Sequence, residues 1–218
     1  PGVARHPEHI KAIRDPKDLI EMLDALKPWP HWRAWIAVAC LAGPRFSEQR
    51  WLKVSDVYFN NGYLRITSRA SGKRIQGTKT GRERNIPIER TTLLPILKEF
   101  VKAHDGKHLW LFPSLLSEGQ VKRTKSEPGQ WSGSKAFHTA LKTVIAAAKE
   151  NAKCSGDFWD FGPDEWRHCF GTALGHCGFN ALQISRMMGN SPDIAERHYI
   201  AELDPTQQWP FTWKAAKA

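Results

Sequence analysis

The chain has 218 residues, enough to bury a full-sized core as one compact domain with a short appendage. With 41% hydrophobic and 25% charged residues it falls among ordinary globular chains, which argues against a low-complexity or fibrous class. The formal net charge of +10, with a pI near 9.6, is not ordinary, and a polyanionic partner is its simplest explanation, because every phosphate neutralised by a cation releases counterions.

Residues 1–13 read as a linker, with Pro1, Gly2, Pro7 and scattered charges. Pro1 is not an initiator methionine, so the sequence is expected to be a piece of a longer protein. A helix is expected from Asp15-Pro16, with proline in the first turn, through Ile20, Met22, Leu23 and Leu26. The next, Trp32 to Leu41, is apolar on most faces and belongs at the centre of the core. Gly43-Pro44 breaks it, and a short helix follows over Ser47 to Leu52.

The pattern then turns strand-like at Val54 to Val57, Tyr63 to Thr67 and Asn85 to Ile88, with Asn60-Asn61-Gly62 as the turn between the first two. Three short antiparallel strands account for these runs. Helical pattern returns at Thr91 to Ala103 and at Ser134 to Glu150. Between them lie a short extended run, Leu109 to Phe112, and a polar loop, Pro113 to Gly133. The last helices cover about Asp164 to Cys177, Ala181 to Met188 and Pro192 to Ile200. The segment from Asp204 on is a tail rich in aromatics: Trp209, Phe211 and Trp213. The fold class that follows is α+β, mainly α, with a small antiparallel sheet.

Cys40, Cys154, Cys169 and Cys177 fit no paired metal-ligand spacing, so no metal site is expected and the thiols read as free and buried. No apolar run is long enough to cross a bilayer, and the N-terminus has no signal-peptide pattern, so a cytoplasmic, nucleoid-associated location is expected, without membrane partners. Nucleophile-elbow serine, Walker, zincin and Cys-x-x-Cys motifs are all absent.

Four boxes carry chemistry. The first is Leu41-Ala42-Gly43-Pro44-Arg45-Phe46-Ser47-Glu48, where an arginine projects from a helix break with an acid three residues on. A guanidinium forks onto two phosphate oxygens and holds them more tightly as charge builds in a transition state. The bland reading is a surface Arg–Glu pair at helical spacing. The second is Thr78-Lys79-Thr80-Gly81-Arg82-Glu83-Arg84-Asn85-Ile86-Pro87-Ile88, a basic turn running into a strand. Lys73 and Arg74 precede it, and these residues with Arg82, Arg84 and Lys135 are candidate DNA contacts. The third is Asp164-Glu165-Trp166-Arg167-His168, and the fourth Met188-Gly189-Asn190-Ser191-Pro192 followed by Tyr199, nine residues after Asn190.

In that order the boxes resemble the tyrosine recombinases, the phage-integrase family, over roughly residues 14–202. The resemblance implies the catalytic domain of that family over residues 14–203, Tyr199 as nucleophile, and Arg45 and Arg167 on the scissile phosphate. Glu48 would brace Arg45. Lys79 would be the general acid, with Lys73 the competing candidate for the reaching lysine; a lysine's flexible stem and adaptable pKa suit that task. The family's two histidine positions read Asp164 and Asn190 here. Asp164 is expected either to cap its helix or to take the tyrosine's proton. Asn190 can donate to a phosphate oxygen but cannot supply an imidazolium. His168 lies about a quarter-turn round the helix from Arg167 and is expected as a core or supporting histidine.

The implied activity is site-specific DNA recombination by strand cleavage and rejoining through a 3′-phosphotyrosine, with no cofactor. The implied partners are double-stranded DNA and further protomers in a synaptic tetramer, the isolated chain being monomeric. The tail from residue 204 on would either exchange onto a neighbouring protomer or fold back onto its own domain. Two alternatives accompany this reading: a DNA-binding protein on the same fold with weakened catalysis, motivated by Asp164 and Asn190, and a type IB topoisomerase with the same chemistry.

Overall fold

The structure, a computed structural model, describes residues 10–67, 69–71, 74–76, 83–104, 109–114, 134–152, 156–201, 203–204, 206–207 and 209–213, with only the backbone at 69–71, 74–76, 104 and 134. Helix α1 (Pro16–Ala25) begins as its sequence dictates. The Asp15 carboxylate accepts from the Lys17 N–H, and Pro16 takes a first-turn position where a missing N–H costs nothing. Its buried face is Leu19, Met22 and Leu23, at helical spacing. The stretch before it is not all linker. Ile13 is 1% exposed, and its N–H donates to Cys169 Sγ.

Helix α2 (Pro30–Ala42) is buried continuously from Ala34 to Ala42. It stops at Gly43, whose φ of +56° is the left-handed cap that glycine adopts without strain. A Cβ there would also collide with the Phe170 ring, so glycine is required for space as well as for conformation. Trp35 anchors an aromatic cluster with Phe46, Phe112 and Phe137 at centroid separations of 4.5–6.0 Å. The short helix α3 (Phe46–Arg50) follows directly.

The expected strand at Val54–Val57 is mostly a 3₁₀ turn, Val54–Asp56, because the Asp56 carboxylate reaches back to the Lys53 N–H and closes the backbone locally. Only β1 (Val57–Tyr58) is extended. It pairs antiparallel with β2 (Tyr63–Ile66), which pairs in turn with the strand Arg84–Pro87. Between these lies a separate two-stranded ladder, β3 (Arg69–Ser71) with β4 (Arg74–Gln76), which the sequence pattern does not announce. The strand Arg84–Pro87 is therefore β5, and the three-stranded sheet has the order β1-β2-β5. Leu64, Ile66 and Ile86 face the core.

Helix α4 (Leu93–His104) follows the sheet, and α5 (Ser134–Asn151) is the next helix among the described residues; of the loop expected over Pro113 to Gly133, residues 115–133 lie outside them. The extended run at Leu109 joins the segment after α3 through a Lys53–Trp110 bridge. Helix α6 (Pro163–His176) packs along α2 as the main helix pair of the core. Helix α7 (Ala181–Met188) and the single turn α8 (Pro192–Ala195) then lead into a π-helical turn, Glu196–Ile200.

The aromatic tail folds back onto its own domain. Trp209, Phe211 and Trp213 are each no more than 8% exposed, and Trp213 Nε1 donates to the Leu41 carbonyl at 3.1 Å. Glu89, fully buried, is the anchor. Its carboxylate accepts from the Thr91, Thr92 and Leu93 N–H groups at the start of α4 and from Thr212 N–H in the tail. No helix among the described residues is long and apolar enough to cross a membrane.

Candidate active site

The C-terminus of α7 organises the site. Like α2, it ends on a left-handed glycine, Gly189 at φ +72°, leaving its last carbonyls without helical partners. Three arginines from distant parts of the chain take three successive carbonyls. Arg84 Nε donates to Met187 O at 2.9 Å, Arg167 Nη2 to Met188 O, and Arg45 Nη2 to Gly189 O at 2.7 Å. Cations at a helix C-terminus are favoured by the backbone dipole, so the arrangement is stable before any ligand arrives. Arg167 also donates through Nη1 to the Gly43 carbonyl, which ties the two glycine-terminated helix ends together.

One acid serves this cluster. Glu48 is 2% exposed and takes Arg45 Nη1 at 3.0 Å and the backbone N–H of Arg45 at 2.7 Å. Arg84 closes on it in a fork, Nη1 to Oε1 at 3.0 Å and Nη2 to Oε2 at 2.6 Å. Burial would raise the carboxyl's pKa, but the hydrogen bonds and charges of Arg84 and Arg45 outweigh it and hold the group below its ordinary value. Glu48 is therefore ionised. Three guanidiniums around one carboxylate leave a net positive centre, and Arg167 registers it: burial, then Arg84 and Arg45, bring its pKa down to about 10.

This centre opens on a groove of about 1160 Å³, whose lining includes Arg45, Arg84, Arg186, Gly189 and Asn190. Asn190 Oδ1 is buried without a hydrogen-bond partner among the described residues. The two ends of an amide have the same shape, so the side chain can equally turn Nδ2–H to an anion in the groove.

Tyr199 lies inside the domain, 3% exposed, in the π-helical turn. Its ring rests on Gly171 of α6, where a Cβ would come within 2.5 Å of Cε1. Burial pushes the phenol pKa up to about 12, against the opposing pull of Arg167. The hydroxyl's partner is His168 Nδ1, at 2.8 Å. His168 thus points away from Arg167, as its place on the helix requires, but its target is the tyrosine itself. Sequence reasoning places it in a supporting role and misses this contact, which depends on the tyrosine turn crossing α6 and is encoded by no local spacing.

Asp164 does not cap α6. The N-cap is Gly162, whose N–H is taken by Glu165 Oε2 at 3.0 Å, while Asp164 sits exposed in the first turn, where a negative charge complements the helix dipole. Nor is Asp164 the hydrogen-bond partner of Tyr199. Arg84, expected as an outward DNA contact, spends its guanidinium on Glu48 and Met187, with its side chain 10% exposed. It is a brace of the cation cluster at the groove's edge. Lys135 is exposed in the first turn of α5. Lys73, Lys79 and Arg82 lie outside the described residues, and so does the side chain of Arg74.

The family model for the phage integrase family matches residues 15–204. The chain belongs to the phage integrase family. Solved integrases and recombinases share its fold. The Tn1549 transposon integrase, in complex with a circular intermediate DNA, aligns at a TM-score of 0.65 and 16% identity, over 92% of this chain and 64% of that one. XerA recombinase aligns at 0.61 and 16%, over 90% and 61%. XerH site-specific recombinase bound to a difH substrate aligns at 0.58 and 15%, over 90% and 52%. The chain thus spans less than two thirds of the length of these relatives. No curated protein matches it in sequence. The integrase fold accounts for the convergence of Arg45, Arg84, Arg167 and Glu48 from separate segments.

Proposed function

We propose that this integrase-family domain cuts and rejoins DNA at specific sites through a 3′-phosphotyrosine. The observation that carries the reading is the net positive cluster of Arg45, Arg84 and Arg167 around Glu48, held at the end of α7, with Arg45 and Arg84 lining a groove and Arg167 buried behind them. Such a centre suits a single phosphodiester, and preorganised donors of this kind act most strongly where transition-state charge develops. Arg45 and Arg167 engage the non-bridging oxygens, and Asn190 adds an amide donor. Glu48 and Arg84 fix Arg45 in place.

Tyr199 attacks phosphorus in line and displaces the 5′ oxygen, which Lys79 protonates. The phosphotyrosine conserves the energy of the broken bond, so a 5′ hydroxyl from another strand can reverse the step without a nucleotide cofactor. Double-stranded DNA is the substrate, and a synaptic assembly of four protomers brings the exchanging strands together.

The test is strand transfer. Duplexes nicked near randomised flanks are incubated with the chain and a labelled acceptor strand, with chelator and without ATP. Joined hybrid strands enriched for one sequence are expected from the wild type and lost in Arg45→Ala, Arg167→Ala and Tyr199→Phe. Joining that persists in Tyr199→Phe, or that is absent from the wild type, overturns the reading.

A further inference from the structure

We propose that His168 is the proton acceptor for Tyr199 in strand cleavage, an inference that rests on the function proposed above. The contact is direct: Nδ1 stands 2.8 Å from the phenolic oxygen, with the two rings tilted by 40° at a centroid distance of 5.9 Å. The direction of the bond follows from a count of partners. The Tyr199 hydroxyl makes no other hydrogen bond among the described residues, so its proton has Nδ1 as its acceptor. That assigns the Nε2–H tautomer to His168. Asp164, the other group the sequence offers for this task, is exposed at the first turn of α6 and does not partner the hydroxyl.

The surroundings keep the imidazole neutral. Burial lowers its pKa from the ordinary value, and the charges of Arg167 and His198 lower it further, against the opposing effects of Asp164 and Glu165. The groups bearing on it are therefore Asp164, Glu165 and Arg167 on α6 and His198 and Tyr199 on the facing turn. A phenol near 12 does not hand its proton to such an imidazole at rest. Transfer belongs to the transition state. As the Oη–P bond forms, the O–H bond breaks with its electron pair staying on oxygen, and the proton passes to Nδ1. The P–O5′ bond breaks at the same time, and its oxygen takes a proton from the general acid. General-base assistance of this kind contributes about 10²–10⁴-fold to a rate.

His168→Asn keeps a hydrogen-bonding atom near the Nδ1 position but accepts no proton. It is expected to slow covalent adduct formation about 100-fold or more while leaving thermal stability and DNA affinity close to wild type. The wild-type rate should fall about tenfold per pH unit below the His168 pKa, and the variant should lack that acid limb. A duplex with sulfur in place of the bridging 5′ oxygen separates the roles, because a thiolate leaves without a proton. It should leave the His168→Asn defect intact. Restoration by sulfur would place His168 on the leaving group and overturn the proposal, as would a His168→Asn rate and pH profile equal to wild type. In the latter case the recombinase reading survives, since wild-type adduct at Tyr199 stands on its own; if the wild type forms no adduct, both fall. Nitrogen-15 NMR of histidine-labelled, DNA-free protein reads the tautomer without relying on activity: a proton found on Nδ1 of His168 overturns the proposal.

Discussion

The seat of Tyr199 on Gly171 can be tested by a double-mutant cycle. At position 171 an added Cβ would meet Tyr199 Cε1 at 2.5 Å and Cδ1 and Cζ at 2.6 Å, well inside van der Waals contact, within a buried stretch of α6. Gly171→Ala alone gains about 1 kcal/mol of helix propensity but loses about 1–3 kcal/mol to overpacking, so a net loss of up to about 2 kcal/mol is expected. Tyr199→Ala alone empties the seat and costs about 3–5 kcal/mol. With the ring gone, the clash is gone, and Gly171→Ala in the Tyr199→Ala background should be stabilising by up to about 1 kcal/mol. The sign therefore reverses, with a coupling of about 1–3 kcal/mol. Urea unfolding of the four proteins, fitted with a common slope, measures each corner. An effect of Gly171→Ala that is the same in both backgrounds would refute the placement of the ring.

Three further outcomes follow from the structure. Glu48→Gln leaves Arg45 and Arg84 without their buried countercharge and should cost about 3–5 kcal/mol by chemical denaturation, whereas a loss below about 1 kcal/mol would mean the pair is solvated. Glu89→Ala removes the acceptor of the N–H groups at the start of α4 and the anchor for Thr212 together, so the tail should become open to limited proteolysis near Trp209, with about 1–2 kcal/mol lost from the helix start; an equally protected tail would contradict the anchor. Tyr199 gives an alkaline signature. Its folded pKa, about 12, is raised above the ordinary 10, so its stabilising effect is complete below pH 10 and is lost as pH rises through the folded value. Relative to Tyr199→Phe, the wild type should lose up to about 3 kcal/mol between about pH 9 and pH 12, and a constant difference would contradict the buried phenol.

Much of the fold is legible in the sequence because its signals are local. Asp15-Pro16 announces a helix start, the unbroken apolar run before Gly43 announces a central helix, and Ala181 to Met188 is bounded by Asn180 and Gly189, both of which cap it as their chemistry suggests. The order of Arg45, Arg167 and Tyr199 points to one site for the same reason: each sits in a short box with its own spacing. What is not legible depends on partners remote in sequence. Arg84 reads as a DNA contact until Glu48 and the end of α7 are brought to it. His168 reads as a core or supporting histidine until the tyrosine turn crosses α6 and brings the hydroxyl to it. The cap of α6 falls two residues before Asp164, which has the better intrinsic preference, because Glu165 supplies the actual reach to Gly162. The π-helical turn at Glu196–Ile200 has no sequence signature of its own; it is a single-turn departure of the kind found at functional sites.

The central claim, that Tyr199 is the group that breaks the phosphodiester, is tested most directly by mapping the covalent bond. Wild-type protein is incubated with nicked duplexes of randomised sequence, the protein–DNA adduct is isolated under denaturing conditions, and nuclease and protease digestion is followed by tandem mass spectrometry. A nucleotide remnant on Tyr199, joined through its 3′ phosphate and absent from Tyr199→Phe, is the expected result. A remnant on any other residue, or an adduct that survives Tyr199→Phe, would contradict the account.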